Sequence, residues 1–272
     1  MGTLFLVATP IGNLADMSPR AVETLRSAAV IAAEDTRRTR TLLDHYQIRN
    51  RILSYHDHNE AERIDILLRE LEAGDVALVS DAGTPGLNDP GYPLVRAAIA
   101  AGHRISPVPG PSAPIAALTA SGLPADSFLY LGYLPRKKAE RRVLIEANAA
   151  QPHTLVFLET PHRLVDALAD LEDLLGDRQI VVARELTKVF EEFVRGKISE
   201  VRRHFEDSPA KGEITLVVAG REAGADRWSE SDLKEGIRMG LSSGEPASAL
   251  ARRLAGESGW RRREIYDKIL KN

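Results

Sequence analysis

The sequence predicts an α/β protein, two α/β domains followed by a small helical unit. Three observations carry this. Short apolar runs such as Val76 to Val79 and Ile180 to Ala183 alternate with longer amphipathic segments through residue 219, the pattern of strands joined by helices. Several of these runs end in loops dense in Gly and Pro, at Thr9–Asn13, Ser80–Gly91 and Pro109–Pro114. Beyond Gly220 the strand pattern stops and only helical patterns follow.

Bulk properties narrow the classes. A chain of 272 residues with 43% apolar side chains can bury more than one core. The absence of cysteine excludes disulfides and thiolate chemistry and fits a reducing, cytoplasmic setting. Thr3–Ala8 is too short and lacks the basic flank of a secretion signal, and no apolar run has the length of a membrane span, so no membrane partner is expected. The net charge of −3 conceals two basic clusters. One holds Arg136, Lys137, Lys138, Arg141 and Arg142. The other holds Arg252, Arg253, Arg261, Arg262, Arg263, Lys268 and Lys271. Uneven charge of this kind can draw a polyanion to one face.

In chain order, Thr3–Ala8 reads as a strand that runs into TPIGNL. Ser18 and Pro19 supply an N-cap and a first-turn proline for a helix to Ser27. A strand at Val30–Ala33 delivers Glu34, Asp35 and Arg37 onto a strand end, where functional loops sit. The plainer role of Asp35 or Thr36 is to cap the helix Arg37–His45. The strand Ile52–Tyr55 ends in HDHNE, residues 56–60. His56 and His58 flank an aspartate, but without further ligands in a zinc spacing they read as a polar or RNA-facing loop, and no metal is expected.

The helix Glu60–Ala73, the strand Val76–Val79, the helix Tyr92–Ala101, the strand Ile105–Val108 and the helix Ala113–Ala120 complete the first domain, residues 1–120. Ser112 stands where an N-cap belongs. The loop SDAGTPGLNDPG, residues 80–91, puts glycines and aspartates together. Its backbone can approach a ligand closely while carboxylates face it, which suits a small, partly cationic cofactor. Asn88 and Asp89 in the same loop read as caps for the following helix.

SGLPAD, residues 121–126, begins the second domain, residues 121–222. It carries strands at Phe128–Gly132, Thr154–Leu158, Ile180–Ala183 and Glu213–Ala219, helices to about Ala149 and over His162–Leu175, and a hairpin strand at Phe190–Arg195. Gly220–Arg227 reads as a linker. The C-terminal unit, residues 223–272, has helical patterns at Ser229–Leu241, Pro246–Ala255 and Arg261–Leu270, the last two joined by GESGW as in a helix-turn-helix.

The sequence contains no phosphate loop, dinucleotide fingerprint, nucleophile elbow or zinc helix. The runs LVATPIGNLADMSPRA, AEDTRRT, HDHNE, ALVSDAGTPGLNDPGYPLV, PVPGPSAPIAAL, ARELTK and KGEITLVV resemble, in order over residues 3–219, the ribosomal RNA branch of the tetrapyrrole-methylase fold family. Ser80 and Ala82 stand where tetrapyrrole enzymes of that fold commonly have Gly and Pro, which suits the RNA branch.

The resemblance implies a cleft between two α/β domains that holds S-adenosyl-L-methionine (SAM), a homodimer, and 2′-O-methylation of a cytidine ribose in the decoding region of 16S rRNA, with rRNA or the small ribosomal subunit as partner. It places SAM near Pro10, Asp81, Ala82, Gly83, Thr84, Ser112 and Ala113 from the first domain, and near Leu158, Glu159, Leu186, Gly212 and Glu213 from the second. A ribose hydroxyl needs help to act as a nucleophile. Glu34, Asp35, His56 and Asp57 are the candidate bases, and Arg37 and Asn59 can orient phosphate or ribose. Two other readings of the same fold are a tetrapyrrole C-methyltransferase and a non-catalytic RNA-binding assembly factor.

Overall fold

A computed structural model describes residues 1–221, 228–260 and 262–270. Residues 222–227 of the expected linker, and Arg261 and Lys271 of the basic C-terminal cluster, lie outside the described residues.

The first sheet holds β1 (Thr3–Val7), β2 (Val30–Ala33), β3 (Ile52–Ser54), β4 (Val76–Val79) and β5 (Arg104–Val108), all parallel, in the order β3-β2-β4-β1-β5. Every residue of β2 and β4 is buried, as a strand covered on both faces requires. Period-two alternation splits β2 between two cores: Ile31 and Ala33 join Leu25, Leu43 and Val79 on one side, and Val30 and Ala32 join Leu67, Leu71 and Leu94 on the other. The helices that supply these faces are α1 (Pro19–Ser27), α2 (Thr36–His45), α3 (Glu60–Ala73) and α4 (Tyr92–Ala100). Ser18 caps α1 by accepting from Ala21 N at 3.1 Å. Asp35 caps α2, accepting from Arg37 N at 2.8 Å.

The strand order places the ends of β4, β1 and β5 side by side, so the three Gly/Pro loops emerge as neighbours. They are bonded to one another. Thr9 and Gly83 exchange backbone hydrogen bonds of 2.8 and 3.0 Å, and the Thr84 hydroxyl donates to the Pro111 carbonyl at 3.4 Å. Gly83 takes φ of 84°, a left-handed conformation open to glycine at little cost.

Helix α5 (Ala113–Ser121) carries Ala117 and Leu118 into a third core with Val156, Val181 and Val217. This core lies on a sheet of order β6-β7-β10-β8-β9, formed by β6 (Phe128–Tyr133), β7 (Thr154–Glu159), β8 (Gln179–Arg184), β9 (Glu192–Lys197) and β10 (Ile214–Val218). Only the β6–β7 pair is parallel. Helices α6 (Lys138–Ala147), α7 (Leu164–Leu175) and α8 (Ile198–Asp207) accompany it. Residues 1–147 and 154–219 form one compact unit containing both sheets.

Two details differ from the sequence reading. The hairpin strand β9 begins at Glu192, leaving Val189 and Phe190 in the preceding turn, 93% and 72% exposed. Helix α8 was not anticipated, although Ile198, Val201 and Phe205 recur at helical spacing and are buried.

A second unit comprises residues 148–153 and the chain from 220 onward. Helices α9 (Glu230–Ser242), α10 (Ala247–Ser258) and α11 (Arg262–Ile269) enclose Leu233, Ile237, Leu250, Leu254 and Ile265. Helix α10 runs past Gly256 and stops at Gly259, whose φ of 68° supplies the left-handed C-cap. Among the described residues no helix is long and apolar enough to cross a membrane.

Candidate active site

The site grows from the C-terminal ends of the first sheet, where ligands bind in open α/β folds. Asp81, two residues past the end of β4, is the hub. Its Oδ1 accepts from Asp35 N at 3.0 Å, its Oδ2 pairs with Arg38 at 3.2 Å, and its own N–H donates to Glu34 at 3.3 Å. These contacts tie the β2 loop to the β4 loop. A cavity of about 230 Å³ opens beside them, lined by Glu34, Arg38, residues 81–84, Leu87, Asn88 and Asp89. Ser112 and the first residues of α5, Ala113 and Pro114, line it too, as do Tyr130, Tyr133, Leu158, Ile214 and Thr215 of the second sheet, Glu213 just before β10, and Ile11.

Crowded carboxylates in a partly closed space resist ionisation. Burial is the main force raising the Glu34 pKa, assisted by the Asp81 charge and opposed by the hydrogen bond from Asp81 N. Burial likewise pushes Asp89 up to about 6, with the Glu34 charge adding to it and the Ser80 hydroxyl opposing. The Tyr130 hydroxyl is pushed up to about 12, again mainly by burial. Asp35 goes the other way, held down to about 2 by hydrogen bonds from Arg37.

Tyr130 and Tyr133 share the cavity because β6 is irregular. Residues three apart on a regular strand face opposite sides. The register with β7 shifts between Tyr130 and Tyr133, and Gly132 there has φ of 67°. The resulting bulge returns Tyr133 to the cavity side.

The residues present fit SAM, which joins a sulfonium, an ammonium, a carboxylate and a ribose diol. Glu34 and Asp81 offer negative charge to the cationic groups, and Ile11, Ala82, Leu158 and Ile214 add apolar wall. Among the described residues the buried Ser112 hydroxyl has no hydrogen-bond partner, and although Ser112 is the N-cap residue of α5 its side chain makes no capping bond. A buried hydroxyl left without a partner at a cavity wall is free to bond a polar group of a bound ligand.

The family model for Tetrapyrrole (Corrin/Porphyrin) Methylases matches residues 3–202. Two curated relatives carry the name ribosomal RNA small subunit methyltransferase I. The protein of Synechocystis is 47% identical over 274 residues, covering 99% of this chain and 98% of the relative. That of Mesorhizobium japonicum is 48% identical, covering 98% and 91%. The chain belongs to the tetrapyrrole methylase family, in its ribosomal RNA small subunit methyltransferase I branch.

Solved structures agree on the tetrapyrrole-methylase fold. Uroporphyrin-III C-methyltransferase from Thermus thermophilus, complexed with S-adenyl homocysteine, matches with a TM-score of 0.55 at 21% identity, covering 80% of this chain and 97% of that one. A diphthine synthase matches with a TM-score of 0.62 at 16% identity, covering 80% and 90%.

Within this methylase fold the expected cofactor neighbours Asp81, Ala82, Gly83, Thr84, Ser112, Ala113, Leu158 and Glu213 all line the cavity. Others stand behind it. Pro10 lines a smaller neighbouring cavity with Thr9, Arg38 and Asp81. Glu159 is buried in an ion pair with Arg163 at 2.7 Å, and Leu186 is buried in the core under α5. Gly212 has φ of 81° and lies against the Glu185 side chain.

Of the candidate bases only Glu34 lines the cavity. Asp35 is taken up by capping and by Arg37, whose Nη2 lies 2.8 Å from it. The Asn59 amide donates to His56 Nε2 at 3.2 Å, and Asn59 Oδ1 accepts from His56 N at 2.9 Å, so the pair closes its own turn. Asp57 is exposed and contributes charge that raises Glu34 and Asp89.

Sequence reasoning passed over Arg38, Asn88, Asp89, Tyr130 and Tyr133. Asn88 and Asp89 do not cap α4: Gly91 is its N-cap, and Gly91 N donates to Glu60 at 3.3 Å. The glycine inside β6 was the available signal for the tyrosines, since an isolated strand glycine marks a bulge.

Proposed function

We propose that the chain transfers a methyl group from SAM to the 2′-hydroxyl of a cytidine ribose in the decoding region of 16S rRNA, as a cytoplasmic homodimer. The observation that carries the reading is the cavity at the ends of β4, β1 and β5, with its carboxylates and the unpartnered Ser112 hydroxyl. Identity of 47% and 48% over nearly the full chain to two proteins named for ribosomal RNA supports the choice of substrate.

When bound, SAM supplies an electrophilic methyl on a sulfonium that departs as a neutral thioether. The chain's own residues position and deprotonate. Asp81 and Glu34 balance positive charge, Ser112 accepts or donates to the ligand, and Tyr130 and Tyr133 narrow the side toward the second sheet. Placement of the hydroxyl oxygen supplies much of the acceleration. Asp89 takes the hydroxyl proton. It lines the cavity, and its pKa of about 6 leaves it ionised at neutral pH but more basic than an ordinary aspartate. Glu34, next to it in charge coupling, is the alternate acceptor.

The test is incubation with methyl-labelled SAM and, separately, small ribosomal subunits, naked 16S rRNA and a tetrapyrrole, followed by mapping of ribose methyls. The reading requires one 2′-O-methyl on a decoding-region cytidine. Label in the tetrapyrrole alone would move the chain to the small-molecule branch.

A further inference from the structure

The sequence holds two basic clusters, and the structure treats them differently. In the first, Arg141 is buried and pairs with Asp170 at 2.6 Å, Arg142 bridges Asp170 and Asp173 at 3.0 and 2.6 Å, and Lys137 pairs with Glu140 at 2.9 Å. Three of those five cations are thus paired with carboxylates of the same unit.

In the C-terminal unit, Arg253 is held by Glu245 and Glu257, Arg238 by Glu235 and Lys268 by Glu230. Arg262 and Arg263, on the first turn of α11, are exposed and make no ion pair among the described residues. They line an open groove of about 480 Å³ with Ser248 of α10 and with Tyr266, which is 38% exposed. Tyr266 lies four residues after Arg262 and three after Arg263, so helix geometry sets all three on adjoining ridges.

We propose that this α10–α11 groove binds a single-stranded RNA segment, Arg262 and Arg263 holding successive phosphates, Ser248 donating to a phosphate or sugar oxygen, and Tyr266 stacking on a base. Unneutralised guanidinium groups beside an exposed aromatic ring form the combination that single-stranded nucleic acid uses: charge for the backbone and a π face for the base. The groove on α9 lined by Trp228, Asp232, Glu235 and Met239 has the opposite charge character and lacks this match. The proposal rests on the reading of RNA as substrate but adds a contact surface of its own.

The experiment is fluorescence anisotropy of the full chain with a fluorescein-labelled 16S decoding-region hairpin RNA over a salt series. Arg262→Ala/Arg263→Ala should weaken binding roughly tenfold and lower the log–log salt slope by about 1.4, the amount for two phosphate contacts on a single strand. Tyr266→Ala should also cost roughly tenfold but leave the slope unchanged, while Tyr266→Phe keeps wild-type affinity. Arg238→Ala, whose arginine is already paired, is the control.

Unaltered affinity and slope in the double variant overturn the proposal. So does polyglutamate binding as tightly as the RNA, which would make the groove a general polyanion surface. If the double variant loses its helical circular dichroism, Arg262→Lys/Arg263→Lys takes its place, keeping charge but losing the planar fork; binding below wild type with an unchanged slope supports the site, and wild-type behaviour of Tyr266→Ala then overturns it. A wild type that binds the hairpin through this groove yet methylates no rRNA would sink the substrate reading and leave the groove standing.

Discussion

The Tyr130 hydroxyl donates to Asn88 Oδ1 at 2.6 Å, linking the bulged strand of one sheet to the long loop that leaves the other. Asn88 holds a left-handed φ of 64°, and a Cβ added at Gly132 would come within 2.5 Å of its amide nitrogen. The contact thus depends on the absent side chain at Gly132 as well as on the two polar groups.

Gly132→Ala is therefore expected to destabilise the protein by about 2 kcal/mol, from left-handed strain and displacement of Asn88. Tyr130→Phe, which only removes the hydrogen bond, should cost about 1 kcal/mol. Urea unfolding of the two variants checks the order; equal or reversed effects would deny Gly132 its role.

Asp89 sets a pH dependence. Its folded pKa of about 6 lies above the ordinary value of 3.8, so its base form is lost as pH falls through about 6. Methyl transfer should fall along that limb, and Asp89→Asn should be slow throughout with the limb gone. Initial rates from pH 5 to 8 read this directly.

The same raised pKa costs stability. A carboxyl whose folded pKa exceeds its unfolded one favours the fold only when protonated, fully below about 4, and that contribution disappears as pH rises through about 6. Asp89→Asn should accordingly be more stable than wild type at pH 7.5, by about 1 kcal/mol after allowance for solvent screening, with the gain fading toward pH 4. Thermal melts at the two pH values measure the difference.

Arg141 and Asp170 form an ion pair whose side chains are only 5% and 4% exposed. Arg141→Met leaves Asp170 buried with Arg142 as its remaining partner, and should cost about 3 kcal/mol. Arg136→Ala, with its side chain in solvent, should change stability little. Denaturant midpoints distinguish a structural Arg141 from one reserved for RNA.

These cases also mark how far the sequence could be read. The parallel strands were legible because fully apolar runs such as VIAA and VALV meet glycine- and proline-rich loops at their ends. The loops themselves announced a ligand. What they could not announce was conformation: Asn88 and Asp89 look like helix caps until the turn at Gly91 takes that position and turns both toward the cavity. Tyr130 and Tyr133 were hidden for a related reason, since alternation assigns them opposite faces and only the bulge reunites them. His56 and Asp35 looked catalytic by residue type, yet their nearest partners, Asn59 and Arg37, lie within their own turns. Arg38 has no signal in the sequence because its partner, Asp81, lies on another loop that only the strand order brings beside it.

The central claim is that the cavity walled by the loops after β4, β1 and β5 holds the methyl donor. Isothermal titration of the full chain with SAM tests it most directly, using wild type, Asp81→Ala, Ser112→Val and, as a control in the C-terminal unit, Arg238→Ala. The account predicts one site per chain in wild type and control, at least tenfold weaker binding in Ser112→Val, and no measurable binding in Asp81→Ala. Binding of unchanged strength in both cavity variants, with their unfolding transitions intact, would contradict it.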